Sequence, residues 1–175
     1  MFPEPDPEAI RAGDHATFDS LYCHLSPRVR GYVFRLCDDR SLADDITQET
    51  FLAAYAGCQN FVGRSRALAW LLGIATRRLS DAHRKTRESP QELPERCAVD
   101  HTESAALNTI QLEQALARLD PSLRETFLLI AGEGLSYAET ASALQIKLGL
   151  VKWRMHAATR RLRTLMTEGE ENAGL

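Results

Sequence analysis

Lys147, Lys152, Arg154, Arg160, Arg161 and Arg163, with His156 among them, fall between Glu139 and Glu168 in a stretch that holds no acid, although the chain's formal net charge is -3. Ammonium and guanidinium groups collected on one helix bind phosphate oxygens, and a basic helix docks on a polyanion even when the whole chain repels one. A second cluster, from Phe61 to Lys85, sets Arg64, Arg66, Arg77, Arg78, Arg84 and Lys85 against Asp81 alone. Beside it, Asn60, Phe61 and Ser65 supply an amide, a ring and a hydroxyl, a mixture that stacks and hydrogen-bonds single-stranded bases. That second signal is weak by itself, because Phe61 and Trp70 also read as core residues. Asp44, Asp45, Gln48 and Glu49 form an acidic stripe at helical spacing, which reads either as a solvated face or as one gripped by a partner protein.

Other chemistry is not indicated. There is no nucleophile-and-base arrangement, no phosphate-cradling glycine loop and no metal-ligand motif, so neither catalysis nor a cofactor is expected. Cys97 and His101 stand four apart, but two ligands do not make a metal site. Cys23, Cys37 and Cys58 are expected as buried thiols rather than a disulfide frame.

Helical periodicity must position these groups, and no run of alternating strand residues competes with it. Phe18, Leu21, Tyr22, Leu25, Val29, Tyr32, Val33 and Leu36 recur at three- and four-residue intervals. A capping box is expected at Ser41–Asp44, opening a helix over 42–59 with Ile46, Phe51, Leu52 and Tyr55 inward. A break at 60–65 contains Gly63, and a helix over 66–87 carries Leu68, Leu71, Leu72, Ile74, Ala75 and Leu79. From 88 to 108 Pro90, Pro94 and five acids accompany one base, the composition of a linker. Helical order resumes near Thr109 with Leu112, Ala115, Leu116 and Leu119. Asp120-Pro121 caps the next helix, which Gly132 and Gly134 end. A second capping box, Ser136 to Glu139, opens a short helix to about Leu144. After a turn over 145–148, a long helix runs to about Met166 with Val151, Met155, Leu162 and Leu165 inward.

These readings make an all-α chain of two small helical domains, 11–87 and 109–168, joined by a flexible acidic linker at 88–108. An extended tail is expected at 1–10, where three prolines stiffen the chain, and another tail at 169–175. An apolar fraction of 44% supports cores, and no apolar run approaches the roughly 20 residues of a membrane span. The N-terminus lacks a signal-peptide layout, so a cytoplasmic protein without membrane insertion is expected. The last domain ends in a helix-turn-helix, whose second helix enters a major groove about 12 Å wide with its N-terminal residues at base edges. Those residues are Leu150, Lys152, Trp153, Arg154 and His156, while Arg160 and Arg161 lie where phosphate contact is natural.

Two series of motifs resemble one family. The runs Ala43-Asp44-Asp45-Ile46-Thr47-Gln48-Glu49-Thr50-Phe51, Phe61-Val62-Gly63-Arg64-Ser65, Trp70-Leu71-Leu72-Gly73-Ile74-Ala75 and Asp81-Ala82-His83-Arg84 are similar to the promoter-melting domain of extracytoplasmic-function sigma factors. Leu119-Asp120-Pro121, Gly134-Leu135-Ser136-Tyr137-Ala138-Glu139-Thr140-Ala141 and Gly149-Leu150-Val151-Lys152-Trp153-Arg154 resemble that family's second domain. The resemblance implies that Asp44, Asp45, Gln48 and Glu49 meet core RNA polymerase. It implies that Asn60, Phe61 and Ser65 take a flipped base of the minus-ten element, with Arg64, Arg66, Arg77, Arg78, Arg84 and Lys85 at the melted DNA. It implies that the final helix reads the minus-thirty-five element, and that an anti-sigma factor masks both domains.

The chain departs from the family pattern at Thr76 and Arg77, where a basic residue and Asn are usual. It departs again in the last helix, where Leu150, Trp153 and Ala157 replace a Thr, a Ser and an Arg, so the family's promoter preference does not carry over. The alternative reading is a stand-alone helix-turn-helix repressor or activator. A third is a helical adaptor whose basic helix meets an acidic protein.

Overall fold

The computed structural model describes residues 4–63, 65–88 and 106–173, and these residues contain helices and no strand. The first half comprises α1 (Pro7–Arg11), α2 (His15–Cys37), α3 (Arg40–Ala56), a 3-10 turn (Cys58–Asn60) and α4 (Ala67–Glu88). The second comprises α5 (Ala106–Ala117), α6 (Pro121–Phe127) running into a π-helical turn (Leu128–Gly132), α7 (Tyr137–Leu144) and α8 (Leu148–Ala173).

In the first half, α2, α3 and α4 pack side by side, with Leu21, Val29, Tyr32, Val33, Ala43, Ile46, Leu71 and Leu72 at the centre. Tyr32 is enclosed, and its hydroxyl meets the Thr76 hydroxyl at 2.9 Å, which satisfies two polar groups that burial would otherwise strand. In the second half, α6 and α5 pack on α8, whose inward stripe is Val151, Ala158, Leu162 and Leu165.

Several local expectations are corrected. The N-terminal segment is not wholly extended: Asp6 caps α1 through the Glu8 N–H, Pro7 takes the first turn, and Ile10 is completely buried. α3 is capped by Asp39, not Ser41, so the helix begins at Arg40, and the Asp44 carboxylate turns instead to Arg30. The change follows from Asp38, whose left-handed φ of 57° ends α2 and reverses the chain. Leu52 and Tyr55 face outward rather than inward, as does Tyr22, and Cys23 is exposed while Cys37 and Cys58 are not. α5 starts at Ala106, ahead of Thr109, and α8 continues past Met166 to Ala173. Most of the expected linker, with Cys97 and His101, lies outside the described residues.

The two halves also pack against each other, a contact that no sequence pattern announces. α4 lies along α7 so closely that a Cβ added to Gly73 would come 3.0 Å from the Ala143 carbonyl oxygen. Glu133, 5% exposed, receives Arg28 and Arg35 from α2, with Arg28 Nε 3.2 Å and Arg28 Nη2 3.1 Å from the same carboxylate oxygen. Arg124 of α6 donates to the Leu36 carbonyl at the end of α2, at 2.6 Å.

Candidate nucleic-acid and protein interfaces

A helix-turn-helix occupies the end of the chain. Ser136 and Glu139 form the reciprocal capping box that fixes the start of α7: the Glu139 N–H donates to the Ser136 hydroxyl at 3.2 Å, and the Ser136 N–H donates to the Glu139 carboxylate at 2.9 Å. α7 ends at Gln145, held in the left-handed region at φ 55°, and the chain turns directly into α8. Opposite the buried stripe of α8, Lys152, Trp153, His156, Arg160, Arg161 and Arg163 are exposed. Lys152, His156, Arg160 and Arg163 also line a groove of about 590 Å³, together with Tyr137, which stands at the start of α7. Arg154 departs from this face. It is half-buried, and its charge lowers the carboxyls of Asp120 and of Glu125 on α6.

The second basic surface is built on α4. Arg77 and Arg84, and Arg78 and Lys85, are pairs seven residues apart, so all four project from one side of the helix and are exposed. Asp81 sits among them and pairs with Arg84 at 2.9 Å. Asn60 and Ser65 belong to the turn that leads into α4, whereas Arg64 lies outside the described residues. Phe61 is only 3% exposed and packs on Trp70 with ring centroids 4.9 Å apart, so its ring is committed to the core. Val62 is the exposed apolar residue of this turn. The N-terminal segment holds the turn in place: Gly63 adopts φ +70°, and a Cβ there would lie 2.9 Å from Pro7, while the Glu4 carboxylate accepts from the Ala67 N–H at the head of α4.

Arg66 is not available to DNA in this arrangement. Its Nε donates to Glu139 at 2.9 Å and its Nη2 to the Gly134 carbonyl at 2.7 Å. Burial pushes the Glu139 carboxyl up, but Arg66 and the Ser136 N–H and hydroxyl outweigh it and hold the group at about 2. One carboxylate therefore caps the helix-turn-helix and ties it to the base of α4.

The acidic stripe is exposed on α3, with Asp44, Asp45, Gln48 and Glu49 all at the surface. Hydrogen bonding to Arg30 lowers the Asp44 carboxyl below its ordinary value and partly neutralises that end of the stripe. The sequence reading missed the apolar half of this surface. Leu52, 70% exposed, shares its side of α3 with Asp45 and Gln48, and with Phe18, Tyr22, Phe51 and Tyr55 it lines a shallow groove between α2 and α3. The signal was present, since residue 52 lies four from Gln48 and seven from Asp45, on the polar side of the wheel.

Comparison with known proteins agrees with this arrangement of parts. Residues 21–89 match the model of Sigma-70 region 2, and residues 109–162 match that of Sigma-70 region 4. The ECF RNA polymerase sigma factor SigL of Mycobacterium tuberculosis is 31% identical over 165 residues, covering 90% of this chain and 93% of its own. The chain belongs to the ECF sigma factors. RNA polymerase sigma factor CarQ of Myxococcus xanthus is 29% identical over 170 residues, with 93% and 97% of the two chains covered. Among solved structures, the sigma factor RpoE of Bartonella quintana, in complex with the anti-sigma factor NepR, superposes with a TM-score of 0.74 at 26% identity, over 86% of this chain and 97% of that one. CnrH, in complex with the cytosolic domain of CnrY, has the same fold, with a TM-score of 0.71 at 23% identity over 93% and 95% of the chains. As an ECF sigma factor, the chain is a promoter-specific transcription initiation factor, with region 2 on α2 to α4 and region 4 on α5 to α8. Among the described residues, no helix is long and apolar enough to cross a membrane.

Proposed function

We propose that this sigma factor divides its work among three surfaces. The α3 face, Asp44, Asp45, Gln48 and Glu49 with Leu52 beside them, docks on core RNA polymerase. Arg77, Arg78, Arg84 and Lys85 follow the phosphates of the melted minus-ten strand, and the turn formed by Asn60, Val62 and Ser65 with Arg64 receives an unstacked base. α8 enters the major groove of the minus-thirty-five duplex. Catalysis belongs to the polymerase, and this chain contributes recognition alone, without a cofactor. The carrying observation is the outer ridge of α8 ahead of Glu168, exposed, basic and free of acid, behind a fully formed capping box.

The physics matches each surface to its partner. A rigid helix suits a rigid duplex groove, whereas an unstacked base needs a turn that closes round it. If the exposed bases of α4 and α8 meet phosphate, promoter affinity falls with salt at a log–log slope of about -0.9 per duplex contact and about -0.7 on a single strand. Run-off transcription with purified core polymerase tests the reading: the wild type supports promoter-specific transcripts, and Gln48→Ala with Glu49→Ala loses polymerase binding. A chain that binds duplex sites tightly by itself and never supports a transcript would instead be a stand-alone repressor or activator.

The likeness to factors held by anti-sigma proteins adds a partner: an anti-sigma factor holds the two halves in the packed arrangement seen here. Arg66, committed to Glu139 and Gly134, supports this, because the same guanidinium cannot reach minus-ten phosphate until the halves part. Co-purification from the native cell across growth states tests it. Recovery of polymerase alone under all of them would refute this partner.

A further inference from the structure

We infer that Leu150 and Trp153 read thymine methyl groups in the minus-thirty-five duplex, so that the promoters of this factor carry thymine where these two side chains land. The inference rests on the reading that α8 enters the major groove, and it specifies what the helix selects there.

The argument starts from which way the side chains of α8 point. At 100° per residue, with Val151, Ala158, Leu162 and Leu165 inward, Trp153 and Arg160 stand on the opposite side with His156 between them. Trp153 is 62% exposed and Leu150, one turn before it, 39% exposed. They are large apolar groups in the first two turns of the helix, the part of a recognition helix that meets base edges. Their surroundings are made for a polyanion: Lys152, His156, Arg160 and Arg163 are exposed alongside, and no acid lies between Glu139 and Glu168. The space beside Gly149, four residues before Trp153, is open, since a Cβ there would meet nothing of the protein within 4 Å.

An apolar pair flanked by cations has one natural counterpart in the major groove. Guanine, adenine and cytosine present only hydrogen-bonding groups there, and thymine alone adds a methyl. Leu150 brings no donor or acceptor, and Trp153 brings a single N–H, so neither makes the paired contacts that select guanine or adenine. Their separation along α8, about 4.5 Å from the helical rise, spans one to two base-pair steps of about 3.4 Å. The two contacts therefore fall on adjacent or next-adjacent base pairs, on either strand.

The experiment uses the full chain with core polymerase. Promoters are first selected by transcription from a pool with a randomised upstream element. Each thymine of the best element is then replaced by deoxyuridine, which removes the methyl and leaves every hydrogen-bonding group in place. The expected result is one or two positions, no more than two steps apart, where uridine lowers promoter-complex formation roughly fourfold, the effect of one buried methyl group. Trp153→Ala, and Leu150→Ala at the neighbouring position, should bind the thymine and uridine elements alike, with circular dichroism showing that both variants fold. A wild type that transcribes selectively yet treats uridine as thymine everywhere overturns the inference and leaves the sigma reading standing. So does a Trp153→Ala variant that retains the full uridine penalty, or one whose loss is in binding core polymerase without DNA, because the tryptophan would then face a protein. If no pool member yields a transcript, the parent reading fails and this inference fails with it.

Discussion

Glu125 of α6 is a carboxyl whose titration the fold has displaced: burial pushes it up to about 7, against an opposing pull from Arg154 of α8. It also lies close enough to the enclosed Tyr32 of α2 for its charge to hinder ionisation of that phenol. The folded protein thus binds this proton more tightly than the unfolded chain, whose carboxyl titrates near the ordinary 4.5. Below that value Glu125 costs nothing; as pH rises from 4.5 to 7 the unfolded chain gives up this proton while the folded state keeps it, so the cost grows, and above 7, where the buried charge forms, it is complete. Glu125→Gln is accordingly expected to raise stability at alkaline pH, by an amount on the order of 3 kcal/mol, with the two proteins converging as pH falls toward the lower value. Thermal melts across that range check it, and a constant offset at every pH would contradict it. Glu139 titrates in the opposite sense. Its carboxyl is held at about 2, so the stabilisation it gives is intact above its ordinary 4.5 and disappears between that value and about 2. Ser136→Ala removes its capping partner and is expected to cost about 1 kcal/mol by denaturant melts.

Among the elements, α1 has the largest effect for its size. Five residues long, it buries Ile10 completely, sets Pro7 against Gly63, and leaves Arg11 Nη1 3.4 Å from the Phe61 carbonyl. Its sequence, beginning at the third of three prolines, reads as a stiff tail, because a single turn offers too little periodicity to be recognised. Only the cavity that Ile10 fills distinguishes a helix from an extended segment. Ile10→Ala is expected to cost about 2–5 kcal/mol by denaturant melts, the usual range for truncating a buried aliphatic chain. The damage should extend to the turn at 60–65, seen as faster amide exchange there than in α8. α3 shows the converse. Its helical period is plain, but Leu52, expected inward with Ile46 and Phe51, shares the register of Gln48 and is exposed. Leu52→Ala is therefore expected to leave the melting temperature nearly unchanged and to weaken binding to core polymerase several-fold in a pull-down titration.

At the scale of the molecule, the packing of the halves conflicts with the promoter they serve. Elements centred about 25 base pairs apart are separated by about 85 Å of duplex, whereas a compact chain of this length has a radius of gyration of about 16 Å. On the proposed division of work, the α4–α7 contact, the Arg28 and Arg35 pairs with Glu133, and the Arg66–Glu139 tie break when both elements are engaged. Gly73→Val tests the contact directly. A side chain there meets the Ala143 backbone, which cannot rotate aside. Small-angle scattering should show a larger radius of gyration with full helix content, and promoter-complex formation in the presence of an anti-sigma factor should be faster. Glu133→Gln should act in the same direction but less, because Arg28 and Arg35 are exposed enough to be rehydrated when the carboxylate is lost.

What the sequence settled by itself was carried by local pattern. The helical period, the Asp120-Pro121 start of α6 and the Ser136–Glu139 box depend on neighbours within four residues, and the acid-free basic stretch on composition along one continuous run, so they could be read before any fold was known. The tertiary structure decided what depends on residues far apart. It placed Phe61 on Trp70, brought the charge of Arg154 to bear on Glu125, gave Arg66 to Glu139 seventy-three residues away, and brought Gly73 against Ala143. A charge or an aromatic ring carries no mark of its partner in the sequence. Whether it meets solvent, DNA or another helix is fixed only when burial forces each polar group to find a counterpart and each cavity to be filled.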